Sequence, residues 1–159
     1  MFYLIPAPLH RATLRLVYAL RRRLRHLTKL DLAGVAVLLT DAEDRCLLVR
    51  HTYGPQGWAI PGGGMRKGED PANAARREIR EELGCEMEDL SCRLVVKEEL
   101  SRSPHTAHVY TARPIGTPRA DLREIADLRW FSKAELGAAH LTRLTALRLE
   151  ELGFHNSES

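Results

Sequence analysis

Apolar and polar residues along the chain predict a mixture of strands and helices. An apolar run rich in β-branched residues, LAGVAVLLT at 32–40, precedes a polar turn and a second apolar run, CLLVR at 46–50. This pattern predicts a hairpin. Further strands are predicted for GWAI at 57–60, CRLVVKEEL at 92–100, AHVYTARP at 107–114 and LRWF at 128–131. Strands and helices do not alternate regularly, so the pattern does not favour a doubly wound parallel sheet.

Two helices are predicted in the body of the chain. The first covers residues 71–83, because Asp70 is a favourable N-cap, Pro71 suits the first helical position and Gly84 suits a left-handed C-terminal residue. Ser132 and Glu135 have the spacing of a capping box. A second helix is expected at the end of the chain, over HLTRLTALRLEEL at 140–152.

Residues 9–29 have the pattern of a basic amphipathic helix. Five leucines share one arc of a helical wheel, and arginines and Lys29 lie opposite. The arginines interrupt the apolar run too early for a transmembrane helix or a signal peptide. Two interpretations remain open. The leucine face packs on the domain or on a second subunit as a homodimer, or the basic face contacts an anionic membrane or nucleic acid.

Length and charge divide the chain into one domain with two short extensions. A chain of 159 residues, 44% hydrophobic, is sufficient for one domain. We expect a basic helix in 1–30, the domain in 31–152 and a polar tail in 153–159. Residues 1–30 contain seven basic residues and no acidic ones, whereas the remainder contains 17 basic and 21 acidic residues. The three cysteines form no CxxC pair, which favours a reducing, cytoplasmic location.

The helix predicted at 71–83 carries three glutamates on one side. Glu78, Glu81 and Glu82 project into a sector about 100° wide, and the apolar stripe of the helix flanks this sector. Like charges at this spacing destabilise a helix. A divalent cation such as Mg²⁺ would remove the repulsion. The alternative is a solvated charged helix in which Arg77 pairs with Glu81.

A glycine-rich segment, PGGGMRKGE at 61–69, precedes this helix. Glu69 stands where a P-loop requires lysine, and Lys67 stands where a dinucleotide-binding fingerprint requires glycine. Both motifs are therefore excluded. The succession of a strand, a glycine loop and a helix that carries carboxylates instead favours phosphate chemistry that uses a bound metal.

The same residues resemble the signature of the Nudix hydrolases. Its fixed positions are occupied by Gly63, Glu69, Arg77, Glu78, Ile79, Glu81, Glu82 and Gly84. Cys85 departs from the larger aliphatic residue that is usual there, and Arg66 replaces a glutamate that many members carry. The resemblance extends over about residues 31–150. It implies an α/β fold, an α/β/α sandwich around a mixed sheet, with the N-terminal amphipathic helix as an addition.

The resemblance also implies roles for individual residues. The ligands of Mg²⁺ or Mn²⁺ would be Glu78, Glu81, Glu82 and the backbone carbonyl of Gly63 or its neighbour. Arg77 would orient these carboxylates, and Glu69 and Gly84 would be structural. The water proton would pass to Glu81 or Glu124. The implied reaction is hydrolysis of a nucleoside diphosphate linked to another group, such as a dNTP, an oxidised nucleotide, ADP-ribose or another sugar nucleotide.

Residues for substrate binding are less strongly indicated. Arg50 is suited to phosphate, and Tyr53 and Trp58 to stacking on a base, although core packing is favoured for Trp58. Glu98 and Glu99 are expected to be a solvated pair at a sheet edge, and Arg102 and His105 to lie in an exposed turn. Two other functions remain open: a nucleotide-sensing or nucleic-acid-binding module without turnover, and a membrane-associated hydrolase of a lipid-linked diphosphate.

Overall fold

The computed structural model describes residues 32–100 and 103–154, together with Thr13. The helix predicted at 9–29, Arg102 and residues 155–159 of the tail lie outside these residues. The elements in chain order are β1 (Leu32–Leu39), β2 (Cys46–His51), β3 (Gly62–Gly64), α1 (Pro71–Leu83), β4 (Glu86–Leu100), β5 (Ser103–Ile115), β6 (Ile125–Phe131), α2 (Lys133–Leu136) and α3 (Arg143–Glu151). No helix in the described part of the chain has the length and hydropathy needed to cross a membrane.

The strands form two sheets. Four of them lie in the order β3-β1-β5-β4, and β2 pairs with β6 in a separate sheet. The β1–β5 pair is parallel, whereas β1–β3 and β4–β5 are antiparallel. The larger sheet is therefore mixed, as the resemblance implied.

The hairpin predicted between β1 and β2 is wrong. Within residues 32–51, β1 and β2 lie in different sheets, and a single bridge joins Thr40, just after β1, to Cys46. Both edges of β1 are already used, because β3 pairs along one edge and β5 along the other. A continuous apolar run is typical of such a central strand. The apolar pattern therefore predicted the strand β1 correctly, although it did not predict which strands pair with β1.

The two faces of the sheets are covered by different helices. One core cluster joins Val35 and Val37 of β1 to Ile79 and Leu83 of α1. The other joins Ala36 and Leu38 of β1 to Leu136 of α2 and Leu149 of α3. Successive residues of a strand point to opposite faces, so α1 lies on one side and α2 and α3 lie on the other. The expected three-layer α/β/α arrangement is confirmed.

Several predicted boundaries are corrected. Residues 57–60 form no strand; instead Trp58 bridges Leu141 and Ala59 bridges Val49. The strand β4 begins at Glu86 and not at 92, because a bulge between Glu88 and Ser91 interrupts the alternation on which the prediction relied. The final helix is also shorter than predicted and begins after Thr142.

Candidate active site

Local signals fix the position of α1, as predicted. The Asp70 carboxylate accepts a hydrogen bond from the Asn73 backbone N–H at 3.0 Å. At the other end Gly84 has φ 62°, the left-handed conformation that glycine adopts without strain. Both caps are confirmed, so the phase of the helix, and with it the direction of its three glutamates, is set by the sequence.

The three glutamates of α1 differ in exposure. Glu82 is only 4% exposed, and it belongs to the buried face of the helix together with Ile79 and Leu83. The Glu78 side chain is 13% exposed and that of Glu81 is 55% exposed. The expectation that the whole acidic sector lies beside the buried stripe is therefore wrong for Glu82, which is inside it.

Burial leaves these carboxylates poorly solvated. Burial raises the pKa of Glu82 well above its usual range, and the neighbouring charge of Glu78 adds to this effect. A hydrogen bond from the Gly62 N–H at 3.0 Å opposes it. Burial also raises the pKa of Glu78, although Arg77 partly compensates. Two carboxyl groups with raised pKa values therefore lie side by side on α1.

The glycines that precede α1 form a strand, although a loop was predicted. Gly62 has φ 151°, and a Cβ on it would lie 2.1 Å from the Val35 carbonyl oxygen. A Cβ on Gly63 would lie 2.5 Å from a carboxylate oxygen of Glu78. Glycine is thus required at 62 so that β3 can pair with β1, whereas a side chain at 63 would displace the Glu78 carboxylate from its place against the strand.

Arg77 connects the helix to the segment before it. Its Nε and Nη2 donate to the two Glu69 oxygens at 2.8 and 2.9 Å. Nη2 also donates to the Gly64 carbonyl at 3.0 Å, and Nη1 donates to Glu78 at 2.6 Å. The pairing with Glu81 that a solvated helix would have is present at 3.3 Å. Arg77 therefore contacts four groups of the motif and not Glu81 alone.

Glu69 is held from both sides. In addition to the Arg77 guanidinium, the backbone N–H of Arg66 donates to Glu69 at 2.8 Å. The hydrogen bonds from Arg77 are the main reason why the pKa of Glu69 falls to about 2. Glu69 is therefore an anion engaged within the protein.

Glu124 lies opposite α1, in the loop before β6. The Tyr53 hydroxyl donates to the Glu124 carboxylate at 3.2 Å. Burial and the charge of Glu124 raise the pKa of Tyr53, with smaller contributions from Glu82 and Glu78. Glu124 also raises the pKa values of Glu78 and Glu82. The structure thus brings Tyr53 and Glu124 together with the buried glutamates.

Asp121 fixes this loop and was not singled out from the sequence. Its Oδ1 accepts hydrogen bonds from the backbone N–H groups of residues 123, 124 and 125, each at 2.9 Å. The Thr52 hydroxyl, at the end of β2, donates to the Arg123 carbonyl at 2.7 Å. An aspartate that turns the backbone just before a glutamate is a recognisable signal, and it could have identified Asp121.

Arg50 and Trp58 are not brought to the glutamates. The Arg50 guanidinium pairs with Asp127 at 2.7 Å and lies 4.8 Å from the centroid of the Trp58 ring. Trp58 packs edge-on against Phe131 and borders the cluster that contains α2 and α3. A cavity of about 270 Å³ beside Trp58 is lined by Phe131 and by residues near α2. Of the three predicted substrate-binding residues, only Tyr53 contacts the candidate site.

Two expectations about the long β4–β5 hairpin are corrected. Glu98 is mostly buried, and its carboxylate contacts the Arg148 guanidinium at 2.8 Å and the His105 Nδ1 at 3.0 Å. His105 lies in β5 and not in an exposed turn. The alternation of β4 turns Glu98 towards α3, whereas Glu99 is exposed as expected.

The donors around α1 suit a hard cation, but they do not already enclose one. Carboxylates and backbone carbonyls are the oxygen ligands that Mg²⁺ and Mn²⁺ prefer, and the buried charges of Glu78 and Glu82 lack a full counter-charge. Among the described residues, however, no three His, Cys, Asp or Glu side chains are gathered in a metal-binding arrangement. Glu81 points instead towards Arg77 and, at 3.8 Å, towards Arg66.

Comparison with known proteins identifies the family. The sequence profile of the NUDIX domain matches residues 31–151, so the chain belongs to the Nudix family. It is 29% identical to a MutT NUDIX hydrolase from Burkholderia pseudomallei, with a TM-score of 0.69 over 77% of this chain and 98% of that one.

Curated relatives match over shorter stretches. An RNA pyrophosphohydrolase from Rhodospirillum rubrum is 41% identical over 51 residues, 32% of this chain and 31% of that protein. Human diphosphoinositol polyphosphate phosphohydrolase 3-alpha is 39% identical over 71 residues, 45% of this chain and 43% of that protein. The match thus spans less than half of the length of either relative.

Proposed function

We propose that the chain is a metal-dependent pyrophosphohydrolase that cleaves the diphosphate of a nucleotide linked to another group. The observation that carries this proposal is the pair of buried carboxylates, Glu78 and Glu82, beside the glycine strand β3 and opposite Glu124. Burying unbalanced carboxylates costs free energy of folding. A site for cation and phosphate explains why the fold tolerates this cost.

Glu78, Glu82 and the Gly63 carbonyl would hold Mg²⁺ or Mn²⁺, with Glu81 turned inward from Arg66 as a further ligand. When bound, the metal neutralises the diphosphate and lowers the pKa of a water molecule. Arg77 holds Glu78 and the Gly64 carbonyl in place and is in turn fixed by Glu69. This is the role of a positioning residue that orients ligands from behind.

The proton of the attacking water passes to a carboxylate, and Glu81 and Glu124 are the two candidates. Glu124 is favoured because the Tyr53 hydroxyl and the backbone turn at Asp121 hold it in a partly buried position. Glu81 is exposed and pairs with Arg66 and Arg77, so it would have to leave these partners before it could accept the proton.

Two relatives, named for RNA and for diphosphoinositol polyphosphates, suggest a substrate rich in phosphate. Arg66 and Lys67 support this choice, because both are exposed in the segment that leads from β3 to Glu69. The basic side chain of Arg66 stands where many family members carry a glutamate, and it would favour a substrate with several negative charges.

A panel of substrates tests the proposal. It contains dNTPs, ADP-ribose, NADH, dinucleoside polyphosphates, RNA with a 5′-triphosphate or a cap, and inositol pyrophosphates, each with Mg²⁺ or Mn²⁺. We expect turnover of at least one compound that needs metal and that is lost in Glu82→Gln. The matched control is Glu86→Gln, because Glu86 pairs with Arg80 on the outside of the protein. Equal turnover by wild type and Glu82→Gln would refute the site.

One alternative is a nucleotide-sensing module without turnover. In that case a nucleotide of the panel binds with a measurable Kd, without metal and without product. A membrane-associated hydrolase of a lipid-linked diphosphate remains a further prediction, and it depends on residues 9–29, outside the described part of the chain.

A further inference from the structure

An apolar strip lies at the far edge of the larger sheet, on the side of α3. Leu94 of β4 pairs with Val109 of β5, and Val96 pairs with Ala107. These residues share a face with Glu98, because alternate residues of a strand point the same way. The contact of Glu98 with Arg148 shows that this face is the one next to α3.

The burial of the strip is not explained by the two core clusters. Val109 is 0% exposed and Ala107 is 2% exposed, yet neither belongs to the cluster at α1 or to the cluster at α2 and α3 as far as the described residues form them. Leu94 and Val96 beside them are also partly covered. Closely packed apolar groups must cover a fully buried valine, so we expect apolar groups outside these two clusters to lie over the strip.

The flank of α3 next to the strip is apolar as well. Thr145 and Leu149 of α3 are buried. Leu144 and Leu147 lie on the flank that also carries Arg148, since these positions are close on a helical wheel. Leu147 is 48% exposed. The Glu98–Arg148 contact joins the sheet edge to this flank, and we use the term apolar corner for the apolar residues on either side of it, Leu94, Val96, Leu144 and Leu147.

We propose that the leucine face of residues 9–29 packs into this apolar corner of the same chain. The chain enters β1 at Leu32, which pairs with His105 of β5, and His105 contacts Glu98 at the end of the strip. The predicted helix is therefore connected to the domain beside the corner, through two residues. Such a short connection gives the segment a high effective concentration at that place.

Size and charge agree with this occupant. A helix of 21 residues is about 32 Å long, enough to cross the sheet, and its leucines at 9, 16, 20, 24 and 27 form one arc. The segment 1–30 has seven basic and no acidic residues, whereas the rest of the chain has 21 acidic and 17 basic residues. The domain therefore attracts the segment, and the arginines on its other face remain in water.

Hydrogen exchange of the full chain tests the proposal, with two variants of neighbouring residues. Val96→Arg places a charge in the corner. Val95→Arg is the matched control, because Val95 is 58% exposed and points to the other face of β4. We expect slow exchange of the amides of residues 9–29 in the wild type and in Val95→Arg, and loss of this protection in Val96→Arg. Leu147→Arg places a charge in the corner from the side of α3 and should cause the same loss of protection. It serves as the test if Val96→Arg does not fold.

Several results would overturn the proposal. One is fast exchange of residues 9–29 in the wild-type chain. Another is protection that survives both Val96→Arg and Leu147→Arg, or that is lost equally in Val95→Arg. Protection that disappears on dilution, together with a dimer seen by sedimentation, would assign the corner to a second copy. Protection that appears only with phosphatidylglycerol vesicles would assign the leucine face to a membrane.

Discussion

Glutamates on opposite faces of the sheet differ in how their charge is balanced. On the side of α3, Glu98 contacts both Arg148 and His105. On the side of α1, Glu82 is buried and accepts a hydrogen bond from the Gly62 backbone, while Glu78 beside it raises its pKa further. Both places are poorly solvated. Glu98 has two basic side chains against it, whereas on the side of α1 the described residues give Glu78 a single cation, Arg77, and give Glu82 none.

The difference separates a structural cluster from a functional one. A buried carboxylate with a cationic partner is explained by the stability of the fold, since removing either partner is costly. A buried carboxylate such as Glu82, whose pKa is raised by burial and further by the charge of Glu78, is destabilising by itself. Perturbed groups of this kind concentrate at functional sites, and here they coincide with the residues of the Nudix signature.

The largest effect is expected where the unbalanced group is changed. Glu82→Gln keeps the shape of the side chain but removes its charge, and we expect turnover of the substrate found in the panel to fall by about two to three orders of magnitude, as when one electrostatic group of an active site is lost. Because a buried charge is also removed, the free energy of unfolding of the metal-free variant should be about 1 kcal/mol higher than that of the wild type.

Steady-state kinetics and urea denaturation measure these two quantities. The control Glu86→Gln should leave turnover unchanged, since Glu86 pairs with Arg80 in solvent. Suppose that Glu82→Gln instead lowered the free energy of unfolding of the metal-free protein by as much as it raised the activation free energy of turnover. Glu82 would then be a structural residue, and the two clusters would not differ.

Breaking the balanced cluster should have the opposite signature. Arg148→Met leaves Glu98 buried with His105 alone, so we expect the free energy of unfolding to fall by about 3 kcal/mol and turnover per folded molecule to stay the same. Urea denaturation combined with kinetics gives both values. Adding Glu98→Gln should recover part of the loss, because the unpaired charge is gone. A loss of turnover without a loss of stability would place this cluster in the active site.

The two clusters also show which features can be read from the sequence. The helix α1 and both of its caps were predicted, because they depend on residues within a few positions of one another. The three-layer fold followed from the resemblance to the Nudix family. The partners of β1 and the strand formed by Gly62–Gly64 were not predicted, because strand pairing joins residues far apart in sequence.

The candidate site was predictable to the same extent. The residues Glu69, Arg77 and Glu78 are together because they lie within ten positions of one another. The burial of Glu82 was missed, since the group that bonds to it is the Gly62 N–H, 20 residues earlier. Glu98 and His105 were assigned to solvent because their partner Arg148 is 50 residues from Glu98. Contacts between residues close in sequence could thus be predicted, whereas the pairing of charged residues far apart in sequence could not.

Metal binding should raise the Tm of the protein, and this rise should distinguish the two clusters. A ligand that binds only the folded state at 100 times its Kd stabilises it by about 2.7 kcal/mol, so saturating Mg²⁺ should raise the Tm of the wild type by roughly 5–10 °C. Differential scanning fluorimetry measures this shift. Arg148→Met should retain it from a lower starting Tm, and Glu82→Gln should lose most of it. An equal shift in wild type and Glu82→Gln would mean that Mg²⁺ binds elsewhere.

The smallest effect is expected at the wall opposite α1. Tyr53→Phe removes the hydroxyl that donates to Glu124 at 3.2 Å but keeps the ring. The loss of one hydrogen bond to a carboxylate costs roughly 1 kcal/mol, so kcat should fall about fivefold while KM changes little, if Glu124 acts on the water. The control is Tyr110→Phe, since Tyr110 packs in the core at α1. Equal kcat values for the two variants would show that the orientation of Glu124 does not limit the reaction, and Glu81 would then be the better candidate for the base.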